Sequence, residues 1–537
     1  MYATVKSVPT PPGISVEGPL SHQCLTSFSD NTIMLLFESL LVDLAVILAA
    51  VGSGLYFLLT STHDYWKNRN IPYIKPSFPF GNFAPLLTAQ KSFSKLFEEF
   101  YRELKQYDCG GVYNVREPVF VVCKPELIKH FLTKDFSSFH DRGLPYDEEE
   151  DPFSANLFNL EGQKWRSLRE KLSPLFTSGK LKGMFPLIHG YTRELRDFLK
   201  VEICKRNGSV EMKDLLIRFT TDVIGACAFG IHCNSIKNPK AEFHVMSREM
   251  SERSPSSILR SLILSTCPKL VKFFSFKRLF SKMSDYFTKL MQRTVKYRRE
   301  NKVERNDFVH HMMEIMDDET DGDPFTIELM TAQAVLFFVA GLDNVANNIG
   351  FCLHALAVDL DLQERAYQEI RSVLDEYEDK ICYEAVQKMD LVARILDEGL
   401  RMYTPAGVLI RKQNEKRYVV PGTSYVLERG TSVMIPIQSL HYDEEYFPNP
   451  KKFDPERFTE EEKSNRHPYT YLPFGEGPRF CIAHQFANLE MRICFVEMLR
   501  NFRFSVAPET DLALQLDTKA FGPTPINNFW LKISERK

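Results

Sequence analysis

The feature that most constrains this chain is a glycine- and proline-rich stretch near its C-terminus that ends in a cysteine. Residues 471–487 read YLPFGEGPRFCIAHQFA. After Cys481, apolar residues recur at helical spacing, at Phe486, Leu489, Ile493, Val496 and Leu499. A cysteine near a helix N-terminus lies where the helix dipole and free backbone N–H groups favour negative charge. The pattern therefore indicates a ligating thiolate or, as the alternative, a buried structural cysteine after a turn.

The residues before Cys481 favour the first interpretation. Gly475 and Gly477 allow the backbone to pass close to a flat ligand, and we expect their N–H groups to face the sulfur. Such groups set how much electron density the sulfur donates. Arg479 is placed to pair with a carboxylate on the same ligand. The combined pattern Phe-Gly-x-Gly-x-Arg-x-Cys, which begins at Phe474, predicts a bound, flat, carboxylate-bearing cofactor.

This stretch resembles the haem-binding loop of the cytochrome P450 superfamily, in which a cysteine thiolate is the axial iron ligand. The family usually has glycine two residues after the cysteine, and this chain has Ala483 there. The resemblance covers roughly residues 63–530. It implies haem b as cofactor, Cys481 as metal ligand, and a mainly α fold with a smaller β-rich lobe and an N-terminal transmembrane helix. The haem-binding residues that it implies in this loop are Phe474, Gly475, Gly477, Arg479 and Cys481.

A second haem-binding segment is predicted at residues 162–174. Trp165 and Arg169 are four residues apart, so they share a helix face and can both donate to one carboxylate. In the family this helix grips a haem propionate. The alternative is a surface arginine packed on the tryptophan. Lys164 and Lys171 share another face and are candidates for docking a redox partner.

Residues 326–358 predict one long, mostly apolar, central helix with Thr326 as N-cap. In its middle, Ala340 and the following glycine allow close approach to a flat cofactor. A carboxylate in an apolar helix is costly unless it is functional or paired, which makes Asp343 a candidate catalytic residue. The family has an acid followed by threonine above the iron, and Asn344 replaces that threonine. We expect Asp343 and Asn344 to deliver protons through ordered water.

Three further sets of residues follow from the sequence. Asn347 and Asn348 either extend a polar patch from Asn344 or are capping or solvent-facing amides. Glu398 and Arg401 alone would be a routine surface ion pair, but with Arg457 they resemble the buried structural triad of the family.

The acidic run 147–151 is typical of a solvated loop. The longer segment 136–160, which includes this run, covers the substrate pocket in the family, and this makes candidates of Phe139, Phe153 and Phe158.

The N-terminal region predicts a membrane anchor. Residues 40–60 are nearly all apolar, with Asp43 as the one charge, and about 20 residues are enough to cross a bilayer. A buried core helix is the alternative. Basic residues follow this stretch, so the N-terminus is expected in the lumen of the endoplasmic reticulum and the body on the cytosolic side. Residues 257–280 mix apolar and basic side chains, and they either dip into the bilayer surface or form buried helices.

The predicted divisions are a lumenal extension (1–32), a transmembrane anchor (33–62), a proline-rich hinge (63–83) and a haem-thiolate catalytic domain (84–537). Met34 stands just before the apolar stretch and is a candidate for the start actually used. The formal net charge of −3 argues against a nucleic-acid partner. The eleven cysteines show no paired CxxC spacing, which favours a reducing compartment over a disulfide framework.

The predicted activity is that of a monooxygenase which inserts one atom of dioxygen into an apolar small molecule. The resemblance is to the insect and vertebrate microsomal branch that handles foreign compounds. It implies electrons from NADPH through NADPH–cytochrome P450 reductase, with cytochrome b5 as a candidate second donor, and contact with membrane lipid. One alternative is a haem-thiolate isomerase or dehydratase that acts on a peroxide without a reductase, which Asn344 supports. The other is a non-catalytic haem sensor.

Overall fold

The computed structural model of the chain describes residues 23–536 except 89, 150, 206, 252–280, 319–323, 511, 513 and 518–521. In the N-terminal helix it describes side chains from residue 41 onward. Most of the predicted lumenal extension and the predicted bilayer-dipping stretch 257–280 therefore lie outside the described residues. The chain divides into two compact units, Met1–Ser61 and Thr62–Lys537.

The first unit contains one long helix, α1 (Gln23–Thr60). Its segment Leu41–Thr60 has 20 residues and is long and apolar enough to cross a membrane. None of that segment is buried within the structure, which is what a helix that packs on lipid requires and what a core helix would not show. The alternative of a buried core helix is therefore wrong for this segment.

The second unit is mainly helical, as predicted. Its helices, labelled in chain order, are α2 (Ala84–Leu87), α3 (Phe93–Leu104), α4 (Pro125–Lys129), α5 (Gly162–Leu172), α6 (Ser178–Lys205), α7 (Met212–Ala228), α8 (Glu242–Ser251), α9 (Ser281–Asn301), α10 (Phe308–Asp317), α11 (Ile327–Val358), α12 (Leu360–Asp375), α13 (Tyr383–Lys388), α14 (Asp390–Met402), α15 (Ile437–His441), α16 (Glu460–Asn465) and α17 (His484–Asn501). Short single-turn helices join several of them.

The strands are fewer and shorter. They are β1 (Cys109–Asn114), β2 (Glu117–Val122), β3 (Ser209–Glu211), β4 (Leu409–Lys412), β5 (Arg417–Val419), β6 (Val426–Glu428), β7 (Ser432–Ile435), β8 (Phe502–Val506) and β9 (Trp530–Glu535). A four-stranded sheet has the order β1-β2-β7-β4, in which β2 and β7 are parallel and the other pairs antiparallel. A three-stranded sheet has the order β3-β9-β8, and β5 pairs with β6.

The buried apolar side chains form two separate cores. The larger core joins the helices, and the smaller one surrounds the four-stranded sheet. The smaller core is the β-rich lobe that the sequence predicted, and it includes Trp66, Phe97, Phe131 and Phe139. Phe139 contacts Phe131 and Tyr418 at ring-centroid distances of 4.6 and 4.7 Å. The prediction that Phe139 lines a substrate pocket is therefore wrong, because its ring fills the core of this lobe.

The predicted central helix is confirmed as α11. The Thr326 hydroxyl accepts a hydrogen bond from the Leu329 N–H at 3.3 Å, as expected of an N-cap. Thr220 of α7 donates to the carbonyl of Leu342 at 3.2 Å. A Cβ on Gly341 would lie only 2.9 Å from the Ile224 side chain. Glycine at this position therefore allows α7 to pack closely against α11, a reason that the sequence alone did not provide.

Candidate active site

The loop before Cys481 has the backbone conformation that its glycines allow. Gly475 and Gly477 have φ angles of 77° and 74°, in the left-handed region. The Gly475 N–H donates to the Leu472 carbonyl at 3.0 Å, and the Gly477 N–H donates to the Glu476 carboxylate at 3.1 Å. The prediction that these N–H groups face the sulfur is therefore wrong. A Cβ on Gly477 would lie 2.0 Å from the Leu132 carbonyl oxygen, so the close approach is to protein backbone.

Cys481 lies between this loop and α17. Its N–H donates to the Phe474 carbonyl at 3.0 Å, which closes the loop. Burial raises the pKa of the Cys481 thiol, and the Ala483 N–H and the charges of Arg169 and Arg142 oppose that rise. The backbone group that stabilises a thiolate here thus comes from Ala483, at the start of the helix, instead of from the glycines.

Arg479 is held by backbone and by an aromatic ring. Its guanidinium lies 4.0 Å from the centroid of the Trp165 ring and donates to the carbonyls of His140 and Leu160 at 2.7 and 2.8 Å. Trp165 on α5 is 4 % exposed. The alternative in which Arg169 packs on this tryptophan at the surface is wrong, because Arg479 covers the ring.

Two arginines that the sequence analysis missed lie in the same cluster. Arg411 on β4 is 1 % exposed, and its Nε has no hydrogen-bond partner among the described residues. Arg142 donates to the Phe158 carbonyl at 2.9 Å and lies 4.0 Å from the centroid of that ring. The sequence signal for Arg411 was an arginine directly after the apolar residues Val408–Ile410. Arg142 lies in an irregular segment and gave no such signal.

The four guanidinium groups at Arg142, Arg169, Arg411 and Arg479 form an excess of positive charge, which we call the arginine cluster; Arg411 and Arg479 are buried, and Arg142 and Arg169 half-buried. Burial lowers the pKa of each, and repulsion from neighbouring members of the cluster lowers those of Arg411 and Arg479 further. In the part of the chain that the structure describes, Asp141 is the one carboxylate within 4 Å of any of them. It lies 3.6 Å from Arg479 and already accepts from Asn414 at 2.6 Å.

A guanidinium keeps its proton in proteins, so a cluster of this kind is stable only with added negative charge. Haem carries two propionates, and arginine is well suited to bind carboxylates through paired hydrogen bonds. Cys481 places its sulfur in the same region, since the charges of Arg142 and Arg169 act against the rise that burial causes in its pKa. The donor set therefore fits a haem with an axial thiolate.

The middle of α11 is open on one side although most of the helix is buried. Val339, Ala340 and Asn344 are exposed, and Asp343 is half-buried. These positions share one face at helical spacing, which leaves room beside the helix for a ligand. The Asn344 amide nitrogen donates to the Ala340 carbonyl at 2.7 Å. The amide oxygen is thus left as the group of Asn344 that can accept a hydrogen bond from a ligand or water.

Asn347 and Asn348 are buried, with exposed fractions of 9 % and 2 %. The Asn348 amide nitrogen lies 3.3 Å from the Leu396 carbonyl on α14 and 3.1 Å from the Met491 sulfur on α17. The alternative of capping or solvent-facing amides is wrong. Asn348 also does not extend a patch from Asn344, because it is turned toward these two helices.

Glu398, Arg401 and Arg457 are brought together by α14 and the turn that contains Pro455–Phe458. The Glu398 carboxylate lies 2.6 Å from Arg401 Nε and 3.5 Å from Arg457 Nε, and Glu398 and Arg401 are fully buried. Arg401 also donates to the carbonyls of His441 and Pro450 at 2.7 and 2.8 Å. The alternative of a routine surface ion pair is therefore wrong for Glu398 and Arg401.

The other candidates for the substrate pocket and the docking face differ in their exposure and contacts. Phe153 is buried, and Phe158 is 47 % exposed beneath Arg142. Lys164 lies 2.6 Å from Glu148, a member of the predicted acidic loop. This contact offsets one positive charge on the face where we expected a redox partner to dock.

A cysteine sulfur beside the arginine cluster is the combination that a haem-thiolate protein uses to bind its cofactor. The sequence matches the family model described as Cytochrome P450 over residues 74–531, and the chain belongs to this family. It is a cytochrome P450 monooxygenase.

Relatives from insects match nearly the whole chain. "Cytochrome P450 9e2" of Blattella germanica is 39 % identical over 511 residues, which cover 90 % of this chain and 96 % of that protein. "Cytochrome P450 6A1" of Musca domestica is 36 % identical, with coverage of 93 % and 98 %. "Probable cytochrome P450 6a13" of Drosophila melanogaster is 36 % identical, with coverage of 90 % and 96 %. The predicted similarity to the insect branch is confirmed.

Proposed function

We propose that this monooxygenase is anchored in the endoplasmic reticulum membrane, acts on apolar small molecules, and receives electrons from NADPH through a flavoprotein reductase. The observation that carries the proposal is the convergence of the Cys481 sulfur with four guanidinium groups, of which Arg411 and Arg479 are buried and Arg142 and Arg169 half-buried. The exposed apolar segment Leu41–Thr60 supports the anchor. The basic residues Lys67, Arg69 and Lys75 that follow it support a cytosolic body.

In this proposal Cys481 is the one protein ligand of a haem b iron. The bound haem supplies oxygen activation and transfer of one oxygen atom to the substrate. Arg142, Arg169, Arg411 and Arg479 hold the two propionates, and stacking on Trp165 keeps the Arg479 guanidinium in its orientation. The exposed methyl group of Ala340 leaves the middle of α11 flat enough for close approach of the cofactor.

In this proposal the residues on the α11 side of the pocket bind water and transfer protons. The Asn344 amide oxygen accepts a hydrogen bond from a water molecule, because its amide nitrogen is already engaged by Ala340. Asp343 exchanges protons with bulk solvent through that water. The charge of Asp343 also raises the pKa of Lys213, against the lowering by burial, so a cation lies within electrostatic range of this carboxylate.

Asn344→Thr is expected to keep or improve the fraction of NADPH electrons that reach product. A threonine hydroxyl can donate to the Ala340 carbonyl in the same way and still accept from water. Asn344→Leu fills the same space without an acceptor and is expected to divert most electrons to hydrogen peroxide. The measurement is the ratio of product formed to NADPH consumed, with peroxide measured in parallel.

Equal coupling in the wild type and Asn344→Leu would show that Asn344 has no part in proton delivery. The same assay tests the second candidate function. If the wild type converts a lipid hydroperoxide without NADPH and oxygenates no apolar compound tried, the protein is a peroxide isomerase or dehydratase instead.

Arg411→Met is expected to speed the transfer of haem from the purified protein to an acceptor protein. Methionine has a similar length but no charge, and a hydrogen bond to a charged group is worth about 1.5–3 kcal/mol, which corresponds to roughly 10- to 150-fold in affinity. In the haem-free protein we expect Arg411→Met to raise the stability of the fold. The substitution removes a buried guanidinium whose Nε has no partner among the described residues. Thermal unfolding of the haem-free form is the second measurement.

Arg417→Met is the matched control, since Arg417 is an exposed arginine on β5, the next strand along the chain, which belongs to a different sheet. It should leave both haem transfer and unfolding unchanged. If Arg411→Met retains haem as firmly as the control does, Arg411 does not hold a propionate.

The direct test of the proposed activity is reconstitution of the full chain in lipid vesicles with purified NADPH–cytochrome P450 reductase, with and without cytochrome b5. We expect NADPH-dependent oxygenation of apolar compounds, selected beforehand by the shift that they cause in the haem spectrum. If no compound that shifts the spectrum is oxygenated in this system, the proposal fails. Protease digestion of intact microsomes tests the cytosolic position of the body.

A further inference from the structure

A cluster of metal-ligating side chains lies on α10, outside the active site. His310 and Glu314 are at i, i+4 and share a helix face, with the His310 Nε2 atom 3.6 Å from the Glu314 carboxylate. The His311 Nδ1 atom lies 2.9 Å from the same carboxylate. The three ligand atoms are all within 4.8 Å of one another. A tetrahedral zinc site with bonds of about 2.0–2.1 Å has ligand atoms roughly 3.3 Å apart, so small side-chain shifts bring this set into range.

The fourth member of the cluster is Lys180, whose ammonium carries a positive charge. Lys180 at the start of α6 places its ammonium 2.9 Å from His311 Nδ1 and 3.6 Å from Glu314. An ammonium can only donate, so the contact with Lys180 is a hydrogen bond in the tautomer that has its ring proton on Nε2. This is the tautomer in which Nδ1 can also ligate a metal. The His311 Nδ1 atom and the Glu314 carboxylate lie 2.9 Å apart, and either a proton on Nδ1 or a bound cation can bridge them.

We propose that His310, His311 and Glu314 bind one divalent transition-metal ion of the zinc type, and that this ion displaces the Lys180 ammonium. Two imidazoles and a carboxylate are a ligand set that zinc accepts in proteins, with a fourth position left for water. The cluster borders a surface groove lined also by Glu170, Lys171 and Asp318, which gives the ion a path from solvent. Glu314 is 56 % exposed and His310 27 %, whereas His311 is 4 % exposed and fixes the position of the site.

The test uses the full-length, haem-loaded protein and zinc chloride as the probe, with binding measured by equilibrium dialysis. We expect His310→Ala to weaken zinc binding by about tenfold or more, since even the loss of an outer-shell partner costs about 10- to 100-fold. Lys180→Met is expected to tighten binding by about fivefold or more, because it removes a positive charge that competes for the same point. A weaker affinity in His310→Ala and a tighter affinity in Lys180→Met, at two half-buried positions around the same point, are specific to this mechanism.

His232→Ala is the control, since His232 is exposed and lies outside the cluster, and it should leave zinc binding unchanged. The haem-thiolate spectrum of each variant verifies that the protein is folded. X-ray absorption at the zinc edge should show two imidazoles in the first shell. Zinc binding that is equal in wild type and His310→Ala, or unchanged or weaker in Lys180→Met, would overturn the proposal.

Discussion

Replacing Cys481 with alanine is expected to abolish the red-shifted Soret band that the reduced carbonyl complex of a haem-thiolate protein shows. Alanine has no donor atom, and the loop offers no other sulfur among its residues 471–487. Cys481→Ser should also lose the band, because a serine oxygen does not donate electron density as a thiolate does. Oxygenation of every substrate should fall with it to the level of free haem.

The control is Cys494→Ala, which removes a buried thiol from α17, the helix that follows the loop. This variant should keep the thiolate spectrum, with a small loss of stability from the missing sulfur. A thiolate spectrum that survives in Cys481→Ala would disprove the assignment of the ligand and, with it, the whole account of the site.

The elements that the sequence predicted correctly depend on short-range patterns. The N-cap at Thr326, the apolar run of α11 and the i, i+3 spacing of Glu398 and Arg401 can each be recognised within a few turns of helix. Such features are specified by neighbouring residues, so a single sequence is sufficient to find them.

The features that the sequence did not predict depend on contacts between distant segments. Gly477 is required by the Leu132 carbonyl, and Phe139 is covered by Tyr418, in each case hundreds of residues away in the chain. Arg411 joins the arginine cluster because β4 pairs with β7 at the edge of the sheet. No local sequence pattern indicates which face of a strand will border a cofactor pocket. The role of Arg411 could therefore not be predicted from the sequence.

The arginine cluster also explains why Trp165 belongs to the site. The sequence analysis paired Trp165 with Arg169 by helical spacing, whereas the structure places Arg479 over the indole ring. Both interpretations place Trp165 on α5. They differ in the arginine that contacts its ring, because Arg479 reaches the ring from the cysteine loop, outside the helix. The prediction that both α5 residues serve the propionates is retained, with Trp165 acting through Arg479.

Glu398→Ala is expected to prevent accumulation of folded, haem-loaded protein. The substitution leaves the Arg401 guanidinium fully buried without its carboxylate, which costs about 3–5 kcal/mol, a large part of the stability of a typical domain. The Asp454 N–H also loses its acceptor, since it donates to Glu398 at 2.8 Å. The measurements are haem content per milligram of soluble protein and the temperature of half-unfolding. Arg457→Ala should have a smaller effect, because Arg457 is 11 % exposed and more distant from the carboxylate.

An exposed ion pair on α3 is a matched control, because it has the same i, i+3 spacing as the buried pair of Glu398 and Arg401. Lys95 and Glu98 form an i, i+3 ion pair at 2.8 Å on α3, with side chains 55 % and 50 % exposed. Glu98→Ala should cost less than about 1 kcal/mol, because water solvates both charges when the pair is broken. Soluble Glu398→Ala with a full complement of haem would contradict the burial argument. Equal losses in Glu398→Ala and Glu98→Ala would do the same, since the two pairs share their spacing and differ in burial and in the further partners of Glu398.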